Sequence, residues 1–153
     1  MSIGTPQAEC LFCRVLAEGP AHHRENLVLY ETSCGLALLN RYPYNAGHVM
    51  VVPREHVSAF DALQPEAARA LADLLCSALR AVREAYQPEG MNVGMNLGRA
   101  GGAGIVDHCH WHVVPRFPGD TNFMTVTGET RILSESLDAT RARLLPFFQH
   151  IKA

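Results

Sequence analysis

Between Asn26 and Val52 the chain alternates short apolar runs with turn-forming clusters. Asn26 to Glu31 reads as a strand, Thr32 to Gly35 as a turn, and Leu36 to Asn40 as a second strand. Pro43, Asn45 and Gly47 punctuate the loop from Arg41, and His48 to Val52 then forms a third strand closed by Pro53. Ser58 to Leu63 reads as a short helical turn, after which the period changes. Gln64-Pro65-Glu66 opens a long helix, with Ala67, Ala70, Leu71, Leu74, Leu75, Ala78, Leu79 and Val82 at helical spacing as far as Tyr86. Proline in the first turn and an acid near the positive end of the helix suit that start. Met91 to Gly98 alternates again as a fourth strand, and a Gly-rich loop from Gly98 leads to a fifth around His108 to Val114. A second helix covers 134–150, with Ser134 as its cap and Leu137, Leu144, Leu145 and Phe148 as packing positions.

The fifth strand carries the chemistry. His108, His110 and His112 alternate with Cys109, Trp111 and Val113, so a continuous strand would put the three imidazoles on one face, about 7 Å apart. Three rings in a row are expensive to bury unless their nitrogens are used. Two uses fit: ligation of a metal, or nucleophilic catalysis in which one ring attacks and its neighbours orient it or protonate a leaving group.

Composition narrows the field. The chain has 153 residues, 48% apolar and 18% charged, with a net charge of −2. That is the profile of one globular domain over 1–153, with Met1 to Glu9 as a flexible N-terminus. A nucleic-acid role resting on a basic surface finds no support. No apolar run reaches spanning length, and the N-terminus has no basic region followed by an apolar core. Five cysteines, an odd number with one CxxC at Cys10-Leu11-Phe12-Cys13, fit a reducing cytoplasm better than a disulfide framework. The CxxC reads as a metal knuckle, a redox pair, or two ordinary thiols in a short helix.

The run His108-Cys109-His110-Trp111-His112-Val113-Val114 resembles the histidine triad (HIT) superfamily of nucleotide hydrolases and transferases. Leu39 to Pro53, Asn96-Leu97-Gly98 and Gly119 to Phe123 follow in the family's order, so the resemblance covers most of 10–123. It implies an α+β, HIT-like fold: an antiparallel sheet of about five strands, one long helix, a C-terminal helix and short helical turns. It implies His110 as nucleophile and His112 as the group that bonds phosphoryl oxygens and helps protonate the leaving group. Asn40 is then expected on the ribose hydroxyls and His48 near the base or nucleoside, with Val28 and Leu39 lining the pocket. Asn96 is expected at the phosphates. Gly104 and Ile105 stand where the family carries a polar pair, so backbone donors around Gly104, with Arg99, are expected to meet the phosphates instead.

Some relatives also pair a CxxC with a later histidine and the first triad histidine. That makes Cys10, Cys13, His56 and His108 an expected structural zinc site, with no organic cofactor. The branch resembled acts on diadenosine polyphosphates or similar adenylylated compounds, by hydrolysis or phosphorolysis. Release of AMP from nitrogen, as a phosphoramidase, is a close alternative. Partners expected are an adenine nucleotide and a second copy in a homodimer, with Trp111 in the core or at that contact and Asn122 and Phe123 near the partner's pocket; neither nucleic acid nor membrane is expected. Two other classes stay open: a nucleotide-binding module with little turnover, and a metal-dependent oxygenase or hydrolase using all three triad histidines as ligands.

Overall fold

The computed structural model describes residues 10–120 and 135–149. Helix α1 (Leu11–Glu18) leads through a short turn to β1 (Val28–Glu31), β2 (Gly35–Leu39) and β3 (Val49–Pro53). Helix α2 (Pro65–Tyr86) follows, then β4 (Gly90–Met95), β5 (Trp111–Arg116) and helix α3 (Leu137–Gln149). The strands make one antiparallel sheet in the order β1-β2-β3-β5-β4. Five strands and three helices of this arrangement are the expected α+β class.

Strand alternation divides the sheet into two apolar faces. Ala37, Val51 and Val113 face α2 and α3, where they pack with Leu71, Leu74, Ala78, Leu144 and Phe148. Leu36, Leu38, Met50 and Val52 face the other way and pack with Phe12 and Val15 of α1. The helical spacing read from Ala67 to Val82 thus faces the sheet, and Trp111 packs against that same core, its ring edge-on to Phe60 at 5.6 Å.

Several boundaries differ from the sequence reading. β1 begins at Val28 rather than Asn26, because Leu27 takes φ +60 and the register with β2 shifts between Val28 and Tyr30. β4 ends at Met95, where its pairing with Trp111 ends. Helix α3 begins at Leu137 and is capped by Ser136, whose Oγ accepts from the Ala139 N–H at 3.2 Å. The expected cap, Ser134, lies outside the described residues, as do Met1 to Glu9, Asn122 and Phe123.

The largest correction concerns the histidine run. β5 starts at Trp111, so of the three histidines only His112 lies on the strand. β3 pairs with β5 only from Val51↔Trp111 to Val49↔Val113. Beyond that point the chain is tied elsewhere: the Cys109 N–H donates to the Val57 carbonyl at 2.7 Å, and His108 Nε2 donates to the Pro53 carbonyl at 2.9 Å. The three imidazoles are therefore not a row on one strand face. His110 and His112 stay neighbours, 4.9 Å apart between ring centroids, while the His108 ring turns to Cys10 and Cys13.

Candidate active site

His112, Met50, Leu38 and Val28 are successive partners across β5, β3, β2 and β1. They lie on the face that carries α1. Above this line is a cleft of about 780 Å³. His110, His112, Asn96, Gly102 and Gly104 line it, together with Leu38, Leu39, Asn40 and Met50 of the sheet side. Leu11, Phe12, Arg14 and Val15 of α1 form another wall, with Asn26, Leu27, Arg41, Tyr42, Tyr44 and Ile105 completing it. Of the residues expected at the substrate, Asn40, Asn96, Gly104, His110 and His112 meet here. The cleft is mostly apolar with a few convergent polar groups, as small-ligand sites are.

His110 is 5% exposed, and its Nδ1 lies 3.0 Å from the carbonyl oxygen of His108. A carbonyl can only accept, so Nδ1 carries the hydrogen and the lone pair belongs to Nε2. Burial disfavours the cation and lowers the pKa of His110 below the ordinary imidazole value, against the opposing pull of that carbonyl. The ring is thus neutral at pH 7 with its lone pair on Nε2.

A second chain of bonds sets the tautomer of His112. The Tyr44 N–H donates to His48 Nδ1 at 3.0 Å, which makes that nitrogen the acceptor and leaves the hydrogen on Nε2. His48 Nε2 in turn lies 2.9 Å from His112 Nδ1. Nδ1 of His112 therefore accepts, and a neutral His112 carries its hydrogen on Nε2. Burial, then the neighbouring His110, pushes the pKa of His112 down to about 4. The pair stands 4.9 Å apart between ring centroids, one with an acceptor nitrogen and the other with a donor.

His48 differs from its expected place. It is 1% exposed, does not line the cleft, and spends both ring nitrogens on Tyr44 and His112. Tyr44 also covers it, ring over ring at 4.8 Å. Val28 is likewise absent from the cleft wall, where Leu27 and Leu38 stand. Arg99 is not at the cleft either; the cations there are Arg14 and Arg41. Sequence reasoning missed Arg14 and Phe12, whose ring lies edge-on to His108 at 5.3 Å and tilted against His110 at 5.1 Å. Their position beside the CxxC is a weak signal, since only the docking of α1 brings that helix to the histidines.

His108 belongs to another cluster. Cys10, Cys13, His56 and His108 bring one ligand atom each within 4.8 Å of one another. Cys10 Sγ lies 3.4 Å from His108 Nδ1, Cys13 Sγ 3.2 Å from His56 Nδ1, and Cys13 Sγ 3.6 Å from His108 Nδ1. Zinc bonds of ~2.3 Å to sulfur and ~2.1 Å to nitrogen place neighbouring tetrahedral ligands ~3.6 Å apart, so these spacings fit that ion. The Pro53 carbonyl holds His108 Nε2–H and turns the Nδ1 lone pair toward the sulfurs. Two cysteine sulfurs and two imidazole nitrogens are a donor set suited to structural zinc.

Comparison with known proteins agrees with this geometry. The HIT domain family model matches residues 22–119. A protein of Mycobacterium tuberculosis named AP-4-A phosphorylase is 41% identical over 121 residues, which are 79% of this chain and 62% of that protein. The chain thus spans less than two thirds of that relative's length. An adenosine 5'-monophosphoramidase of Schizosaccharomyces pombe is 34% identical over 108 residues, 70% of this chain and 74% of its own. Among solved structures, a zinc-bound histidine triad family protein from Mycobacterium smegmatis superposes with a TM-score of 0.73 at 27% identity, over 94% of this chain and 95% of that one. With the family model matched across most of the chain, this protein belongs to the HIT domain family.

Proposed function

We propose that the chain is a nucleotidyl-histidine enzyme that cleaves diadenosine polyphosphates or related adenylylated compounds. The observation that carries this reading is the complementary pair of tautomers: Nε2 of His110 with a lone pair and Nε2 of His112 with a hydrogen, side by side in one cleft. Nε2 of His110 attacks the α-phosphorus, a P–N bond forms, and the P–O bond to the leaving phosphate breaks with its electron pair on that oxygen. The Nδ1–H bond to the His108 carbonyl strengthens as the imidazole gains positive charge. His112 donates its Nε2–H to the departing oxygen and offsets the charge that develops there. His48 acts through His112 by holding its tautomer. An oxygen nucleophile, water or phosphate, then displaces His110 and releases AMP or ADP.

Asn40 suits the ribose hydroxyls, and the Gly104 backbone N–H, with Asn96, suits the phosphates, the Gly102 and Ala103 N–H groups being held by the Arg99 and Gly98 carbonyls. A zinc ion at Cys10, Cys13, His56 and His108 supplies structural cross-linking of α1 to the sheet rather than chemistry. β4, at an end of the sheet with Val93 exposed, has an edge to pair with in a homodimer. The 41% relative named a phosphorylase favours phosphate as the acceptor, and the monophosphoramidase relative favours AMP on nitrogen as a second substrate class.

Intact-protein mass spectrometry tests the reading. Wild type mixed with diadenosine tetraphosphate and quenched without acid gains one AMP, His110→Ala gains none, and added phosphate shifts the product from AMP to ADP. Turnover without an adduct in wild type, or an adduct that survives in His110→Ala, overturns it.

A further inference from the structure

Two polar side chains of the cleft have no part in this chemistry. Asn26 and Arg14 both line it, and the Glu18 carboxylate bonds the first and lies near the second. Glu18 Oε2 accepts from Asn26 Nδ2 at 2.6 Å, and Glu18 Oε1 lies 3.9 Å from Arg14 Nε. Glu18 itself does not line the cleft. A carboxylate accepts and cannot donate, so this contact orients the amide: one N–H of its NH₂ goes to Glu18, and Oδ1 is the acceptor left for a ligand.

The sheet register locates the pair. From His112 through Met50 and Leu38 to Val28 is three strand spacings, roughly 14 Å at ~4.8 Å each. Asn26 stands two residues before Val28, so it marks the end of the cleft opposite the histidines. With phosphorus placed at His110 and ribose at Asn40, the apolar lining residues Leu11, Val15 and Leu27 are left to receive the ring. The outer edge of the base is what arrives at Asn26.

We infer that Asn26 selects the base, its Oδ1 accepting a hydrogen bond from the exocyclic 6-amino group of adenine. Arg14 donates to the neighbouring ring nitrogen, and Glu18 is the positioning residue that orients the Asn26 amide. This rests on the nucleotide-cleaving reading above. A 6-oxo purine sets its own acceptor against Oδ1, and a purine without a 6-substituent has no donor there. Either loses the bond and leaves an acceptor unmet.

Calorimetric binding of AMP, IMP and purine riboside 5'-monophosphate to the full chain tests it. Wild type binds AMP roughly three- to tenfold tighter than the other two, the worth of one neutral hydrogen bond. In Asn26→Leu the preference falls to about one while purine riboside monophosphate still binds, which also reports that the cleft is intact. Glu18→Ala, which alters no lining residue, releases the amide and lowers the preference as well. Equal binding by wild type, tighter binding of IMP, or a preference that survives both substitutions overturns the inference and leaves the enzymatic reading standing. Failure of all three ligands to bind wild type overturns both.

Discussion

The carbonyl oxygen of His108 holds Nδ1 of His110 at 3.0 Å, while the His108 ring faces the sulfurs of Cys10 and Cys13 at 3.4 and 3.6 Å. One residue thus joins the cysteine cluster to His110, through its ring on one side and its main chain on the other. Loss of the cluster loosens the backbone that sets the His110 tautomer. Cys10→Ala is expected to abolish stoichiometric zinc, measured by elemental analysis, and to lower the thermal midpoint. Turnover is expected to fall as well, because Cys10 is the N-cap of the helix that carries Phe12.

His48 is the second support. Its exchange for leucine leaves Nδ1 of His112 without its donor, so the Nε2–H tautomer is no longer imposed. General-acid assistance is commonly worth about 10²–10⁴ in rate. The loss in kcat is expected to be larger for adenylylated alkylamines, whose leaving group needs a proton, than for substrates that release a polyphosphate. An equal loss for both would assign His48 a packing role only.

The pH dependence follows from the buried rings. His112 titrates near 6.5 in the unfolded chain and at about 4 in the fold, chiefly because burial penalises its cation. Between those values the unfolded chain binds a proton that the folded one does not. Its contribution therefore favours folding fully above about pH 6.5 and is lost as pH falls toward 4. Urea midpoints measured across that window should decline with falling pH, and His112→Gln should flatten the decline. The acid limb of kcat/KM is expected below pH 6.5, since burial lowers the pKa of His110 as well.

Gly35 opens β2 opposite Pro53 of β3, and a Cβ added there would overlap the Val52 carbonyl oxygen. The obstacle is backbone, so it cannot swing aside. Gly35→Ala is expected to cost about 1–3 kcal/mol in chemical denaturation. It also strains the strand pair that carries Leu38 and Met50 under the cleft.

Much of this molecule was written locally. Apolar alternation around Val28, Leu36 and Val49, and the helical spacing from Ala67 to Val82, arise from periods that any single element must obey to bury one face. The order of motifs identified the family, and with it the grouping of Asn40, Asn96, Gly104, His110 and His112 at one cleft. What the sequence could not decide was where neighbouring residues part company. His108, His110 and His112 share a spacing, yet the strand pairing ends at Trp111 and the Val57 and Pro53 carbonyls draw the preceding residues away. Partners of that kind lie more than fifty residues off and leave no periodic trace. The same holds for His48, whose burial behind Tyr44 and contact with His112 come from two strands meeting in register. Asn26 is the furthest case: a loop residue with no motif, made part of the cleft by the docking of α1 and oriented by Glu18. Chain-local physics chose the elements; only their packing, which brings distant donors and acceptors within bonding distance, chose which nitrogen carries each proton.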